Sequence, residues 1–528
     1  MAIFCYDDQA TCVLGFHMAK KATGQRPLQI AVPERLSPVS LQGQIYAAFK
    51  DAILQGQLPA GRKLPSTRAL AKDLGVSRFT TEAVYELLEA EGYVTARTGS
   101  GTYVAALPTV VGSPARAQTL DPKQSTPRVC ARCGSVLVAS PHDGAKHGSG
   151  EIQVARAFRP DLPDVREFPG SVWARFVGRW WKHSAVDLMG DDWPVTGMRT
   201  LRELLATHLV TTRGVRCTPE QIIVVPGSRR AIDLAARTLL FPGDEAWIEN
   251  PAGIHGREAL LAAGARLVPV PIDGEGIRVS TGVQRSPRAR LALVTPTFQW
   301  PMGMPMTLSR RLALLIWARE VNGWIVEYDT DGWFWWSGRA VPALQSQDLW
   351  ERTVYCGNFA ATLFPGINLS FLVVPRRLLR PFTAQLRSDG LAAAVEQAVL
   401  ADFLATGHFA RHLRRMRIVY GKRRREMIEE INRLLRGTLR VQPSRGGLRI
   451  VAWLPSLVDD KAASDLCAEH GVDARPMSRY RIGATSRGAL ILGFAAVNED
   501  EITAGISRMA AALARLQSKT RMARSRDL

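Results

Sequence analysis

Tyr355-Cys-Gly-Asn-Phe-Ala-Ala-Thr-Leu-Phe-Pro-Gly-Ile-Asn-Leu-Ser-Phe371 lies inside a long lysine-free region, which runs from His183 to Gly421. No primary side-chain amine is therefore available anywhere in that region. Around it, from about 151 to 515, apolar strand-like runs alternate with amphipathic helical segments. The runs include Gln221-Ile-Ile-Val-Val, Leu291-Ala-Leu-Val and Gly323-Trp-Ile-Val-Glu, and the helical segments include 201–210 and 309–320. Alternation of this kind predicts an α/β domain with a largely parallel sheet.

The chain has 528 residues, enough for more than one domain. Its 46% hydrophobic and 22% charged residues are ordinary for a globular protein. No run of about 18 or more apolar residues occurs, so no membrane partner is expected. The net charge of +20 suggests a polyanionic partner, nucleic acid first. Seven scattered cysteines point to a reducing compartment rather than a disulfide framework. Cys130 and Cys133 form one CxxC with no second pair nearby, so they read as linker thiols and no metal site is expected. Residues 1–17 carry no convincing signal-peptide pattern, and Met18 is a natural alternative start.

Five segments are expected: a flexible leader over 1–37, a compact module over 38–106, a linker over 107–150, the α/β domain over 151–515, and a basic, frayed tail over 516–528. In the module, residues 41–54 carry apolar positions at helical spacing. Ser66 is placed to cap a second helix and Gly75 to end it in the left-handed conformation. Ser77 caps a third helix over 78–91. The spacing is that of a helix-turn-helix. Residues 92–104 then alternate like a two-stranded wing around Gly99-Ser-Gly101.

Leu64-Pro-Ser-Thr-Arg-Ala-Leu-Ala, Leu74-Gly-Val-Ser-Arg and Ala96-Arg-Thr-Gly-Ser-Gly-Thr-Tyr-Val resemble the GntR-type winged helix-turn-helix over its whole length. The resemblance implies double-stranded DNA as partner, with Arg68, Ser77, Arg78, Thr80 and the wing tip at Gly99 facing it. Arg78 begins the recognition helix, where free N–H groups and the Ser77 hydroxyl suit phosphate oxygens. Phe79 departs from the family's polar residue there. It has no hydrogen bond to offer a base edge, though it can touch a thymine methyl.

Residues 158–515 resemble the fold-type-I aminotransferase-like domain of the MocR subfamily of these regulators. Phe158-Arg-Pro-Asp-Leu-Pro-Asp, Phe241-Pro-Gly-Asp-Glu, Val294-Thr-Pro-Thr-Phe-Gln-Trp-Pro-Met-Gly, Leu363-Phe-Pro-Gly and Gly407-His-Phe-Ala-Arg-His carry it. The resemblance implies a pyridoxal-phosphate (PLP) site, and the matching positions have changed. Ala361 stands at the Schiff-base lysine, Ala360 at the phosphate-binding serine before it, and Asn368 at the phosphate arginine. Tyr328 stands at the pyridinium carboxylate and Thr330 at the phenol, and Gly253 at the stacking aromatic. A one-residue slip brings Asp329 into the carboxylate role. The carboxylate-binding arginine of aminotransferases falls near Ile491.

The expected protein is thus a cytoplasmic, nucleoid-associated, sequence-specific DNA-binding regulator with no enzymatic activity. Its aminotransferase-like domain serves dimerisation or an unidentified small-molecule effector, with covalent PLP not expected. The resemblance implies a homodimer on two half-sites. The rival is a PLP-dependent aminotransferase fused to a DNA-binding module, and Ala361 argues against it. The cluster Trp333, Trp335 and Trp336 reads as local packing, and the eight Lys or Arg of 411–425 as a solvated or interface face.

Overall fold

The structure, a computed structural model, describes residues 40–105 and 157–524 apart from short gaps at 55, 91–92, 98–99, 191–192, 337–340, 388–389, 443, 457 and 484–486. The leader, the linker with Cys130 and Cys133, and Gly99 lie outside the described residues. The chain divides into two compact units.

In the first unit α1 (Leu41–Leu54), α2 (Thr67–Leu74) and α3 (Arg78–Ala90) precede an antiparallel pair, β1 (Val94–Arg97) and β2 (Gly101–Val104). The two caps expected of α2 are in place. The Ser66 hydroxyl accepts the Ala69 N–H at 3.2 Å, and Gly75 takes φ +63°, which turns the chain so that the next N–H, of Val76, reaches the Ala71 carbonyl at 3.0 Å. Buried Thr81 donates to the Thr67 carbonyl at 3.0 Å, tying α3 to the start of α2. Phe49 and Tyr85 meet edge to face inside a small core with Ile45, Leu70, Val84 and Leu88.

The second unit is built on an eight-stranded sheet of order β3-β10-β9-β8-β7-β4-β5-β6. The strands are β3 (Ile222–Pro226), β4 (Glu245–Asn250), β5 (Arg266–Asp273), β6 (Gly276–Ile277), β7 (Leu291–Val294), β8 (Trp324–Asp329), β9 (Thr353–Asn358) and β10 (Leu369–Val373). Neighbours from β9 through β5 are parallel; β10 and β6 run antiparallel to their neighbours. Central strands buried on both faces read as continuous apolar runs, and β7 is buried at every position. A smaller antiparallel sheet has the order β11-β12-β14-β13, from β11 (Arg440–Gln442), β12 (Arg449–Trp453), β13 (Arg475–Pro476) and β14 (Ala489–Gly493).

The tail differs from expectation. The helix Glu499–Arg524 carries on through the residues read as frayed. Residues 518–524 contain neither Gly nor Pro, and adding a residue to an existing helix is far easier than starting one. Arg423, within the basic run 411–425, is an internal brace rather than a solvated charge. It pairs with buried Asp164 at 2.9 Å and donates to the Ala495 carbonyl at 2.6 Å. Arg417 lies over the Trp335 ring, and Trp333 is buried in the core, in keeping with local packing.

Side chains on β8 alternate between faces. Glu327 and Asp329 point into a buried polar layer, where Asp329 accepts from Arg213 at 2.6 Å and from the Tyr355 hydroxyl at 2.8 Å. Arg213 also donates to Thr297 at 2.6 Å. Removing one partner of such a pair strands the other charge without water. Arg213→Met is expected to lower unfolding free energy by about 3–5 kcal/mol in urea denaturation. A loss below about 1 kcal/mol contradicts this account of the layer.

Candidate functional site

The start of α3 and the first turn of α2 carry four of the five positions expected to face DNA. Arg68 is exposed on the first turn of α2. The Ser77 hydroxyl caps α3 by accepting the Thr80 N–H at 3.1 Å, and the two hydroxyls lie 2.7 Å apart. Arg78 is exposed, with its Nε on Glu82 at 2.7 Å. The surplus charge is elsewhere: residues 40–105 hold seven Lys or Arg against six Asp or Glu, whereas 401–450 hold thirteen against four. The winged helix is therefore nearly neutral, and the chain's +20 gives no support to this unit as a basic patch.

In the second unit a cavity of about 320 Å³ opens at the carboxyl ends of the parallel strands, the usual place for a ligand in an open α/β sheet. Gly253, Tyr328, Thr330, Ala360 and Ala361 all line it. Asn368 lies in an adjoining hollow that shares Ser228 and Ala360 with the first. No lysine is among the residues lining either space. A Cβ on Gly253 meets nothing within 4 Å, so the side of the cavity assigned to a stacking ring is open. Asn368 adopts φ +45° and lies across the start of the helix Gly227–Leu239, where a Cβ on Gly227 collides with its side-chain oxygen. Arg229, at that helix start, is committed to Glu258. The slip that offers Asp329 to the cavity is ruled out, because that carboxylate faces Arg213 on the other side of β8.

Residues 41–104 match the family described as "Bacterial regulatory proteins, gntR family". The chain is similar over most of its length to the probable rhizopine catabolism regulatory protein MocR of Rhizobium meliloti. Identity is 37% over 488 residues, covering 92% of this chain and 96% of that protein. This chain belongs to the MocR family of GntR-type regulators. It also resembles the HTH-type transcriptional regulator TauR of Rhodobacter capsulatus, at 30% identity over 90% of this chain and 96% of that one. Among solved structures it resembles the Pyrococcus horikoshii kynurenine aminotransferase, with TM-score 0.63 and 25% identity over 68% of this chain and 91% of the other. LysN, the α-aminoadipate aminotransferase of Thermus thermophilus, gives TM-score 0.64 at 24% identity over 69% and 93%. The MocR-family regulator therefore pairs a winged helix-turn-helix with a fold-type-I aminotransferase-like domain.

Two polar features of this regulator's cavity escaped the sequence reading. Arg449, fully buried on β12, bridges Asp331 at 2.7 Å and Asp161 at 2.8 Å, and Trp300 donates to Asp161 at 2.8 Å. Ile491, where a carboxylate-binding arginine was sought, is buried opposite Val451 on β14 and faces apolar neighbours. The second feature is Glu249. Its Oε2 accepts from the Thr295 hydroxyl at 2.6 Å and from Gln299 at 3.2 Å, while Oε1 has no partner among the described residues. The one signal in the sequence was an acidic residue at the end of an apolar run.

Burial pushes the Glu249 carboxyl from its ordinary 4.5 up to about 7, against the pull of its Thr295 and Gln299 bonds. Burial raises Glu327 in the same way. Folding then takes up protons between about pH 4.5 and 7, so the folded state loses stability as pH rises through that window. Glu249→Gln keeps the shape and removes one titration. The wild-type loss of unfolding free energy between pH 5 and pH 8 is expected to shrink by up to about 3 kcal/mol in the variant. Parallel pH profiles contradict the buried, proton-taking carboxyl.

Proposed function

We propose that this MocR-family regulator binds specific DNA through Arg68, Ser77, Arg78, Thr80 and the wing around Gly99, and that its aminotransferase-like domain works without covalent PLP or transamination. The observation that carries the second half is Ala361. The position lines the cavity and has no amine, and no lysine lines the cavity to replace it. The remaining groups also fit PLP poorly. Tyr328 offers a phenol, which burial raises further above its ordinary value of 10, in place of a carboxylate. Ala360 and Asn368 supply neither the hydroxyl nor the guanidinium that a phosphate needs.

On this reading the cavity accepts an effector non-covalently, and the effector acts by its different affinity for two conformations. The regulator acts in the cytoplasm as a homodimer joined through the large domain. Exposed apolar side chains support a partner-covered face: Val186 is 84% and Met189 70% exposed just beyond the helix Gly170–His183. Among the described residues no helix is long and apolar enough to cross a membrane.

Arg78→Ala tests the DNA half. Operator affinity, read by fluorescence anisotropy, is expected to fall by about 1–3 kcal/mol if the guanidinium pairs with a guanine. Unchanged affinity sinks the assignment. For the cavity, Ala361→Lys alone is expected to give no stable coloured adduct with PLP. The combination Ala361→Lys, Asn368→Arg, Ala360→Ser and Tyr328→Asp is expected to give one. A stable adduct in the single variant contradicts the reading that the whole site has been lost.

A further inference from the structure

Phe79 is the second residue of α3, and its side chain is 80% exposed. Among the described residues of the first unit the only other exposed large apolar side chain is Leu87, at 39%. Among the described residues Phe79 touches no other ring, and the aromatic contact of the small core is Phe49 with Tyr85. Its neighbours on the same turn are already engaged, Arg78 with Glu82 and Thr80 with Ser77. A phenyl group left in water forgoes the gain that burial brings, and an apolar group on a partner would supply it.

We propose that Phe79 determines base preference by packing on the C5-methyl group of a thymine in the major groove. The inference rests on the reading that α3 is the DNA-facing helix. It follows from the chemistry of the two partners. A phenyl ring neither donates nor accepts a hydrogen bond to a base edge. The major groove displays donors, acceptors and one apolar group, the thymine methyl. Position two of the helix lies beside Ser77 and Arg78, whose capping geometry fixes the start of α3. Arg78 gives a polar contact and Phe79 an apolar one from adjacent residues, so the two discriminate different bases.

Replacing thymine by deoxyuridine removes the methyl and nothing else. The full chain is first used to enrich binding sites from a random double-stranded library. Each thymine of the enriched site is then exchanged singly for deoxyuridine. For the wild type, one thymine is expected to show a loss of about three- to tenfold on exchange. Phe79→Ala, which changes an exposed side chain, is expected to bind the thymine and deoxyuridine sites equally, and Phe79→Leu to keep part of the preference. Arg78→Ala is expected to bind more weakly but to retain the deoxyuridine penalty.

The proposal is overturned if no exchange affects the wild type, or if Phe79→Ala pays the same penalty as the wild type. It is also overturned if Phe79→Ala changes self-association by sedimentation while leaving base preference intact, which makes Phe79 a protein contact. A library that yields no enriched sequence overturns the DNA-reading assignment itself, and this inference with it.

Discussion

The buried pair of Arg213 and Asp329 sets what the cavity can be. A strand alternates its side chains between two faces, so fixing one residue fixes all the others. Asp329 is held by Arg213, by the Tyr355 hydroxyl and by the Gly332 N–H at 3.0 Å. Glu327, on the same face, accepts the N–H groups of Leu344 and Gln345, both at 2.8 Å. With those two carboxylates facing the polar layer, Tyr328 and Thr330 face the cavity. A one-residue shift of β8 would put two buried acids into the cavity and leave Arg213 without its counter-charge. The register, and with it the lack of a carboxylate at the place of Tyr328, is therefore locked by electrostatics that the cavity itself does not contain.

Much of the fold was legible because its signals are local. Ser66 and Gly75 mark the ends of α2 by chemistry that needs only the neighbouring backbone. The apolar runs at 221–225 and 291–294 are strands because both faces are covered. Part of the cavity lining was readable for a different reason: residues 355–371 resemble one loop of the family, and Asn358, Ala360 and Ala361 from that loop line the cavity. What stayed hidden depends on distance. Arg449 meets Asp161 across 288 positions of chain. Nothing near either residue announces the pair, and a buried arginine looks the same in sequence as a solvated one. The charge balance pointed to a nucleic acid but not to a surface, because a total of +20 carries no address. Read by region, it leaves the winged helix almost neutral. The helix to Arg524 was missed because basic composition was taken for disorder, although Lys, Arg, Ala and Met are good helix formers.

The two units divide the work by chemistry. The first offers a capped helix whose opening turn sets a guanidinium and a phenyl side by side, one suited to polar base edges and the other to a methyl. The second keeps the architecture of an aminotransferase, with strand ends, a helix start and a cavity of ligand size. On the proposed reading, Ala361, Ala360, Tyr328 and Asn368 supply no amine, aliphatic hydroxyl, carboxylate or guanidinium to hold PLP there. Ala361 and Gly253 bring little side chain to the cavity wall, and Tyr328 and Asn368 bring no charge.

The central claim is that this cavity cannot hold PLP through a covalent bond. The direct test incubates the wild-type chain with PLP, treats it with borohydride, and maps bound pyridoxyl groups by peptide mass spectrometry alongside the visible spectrum. The account predicts no shift of the PLP absorption band and no stoichiometric label on any peptide. A stoichiometric pyridoxyl label on one lysine would show that another amine has taken the place of Ala361, and would contradict it.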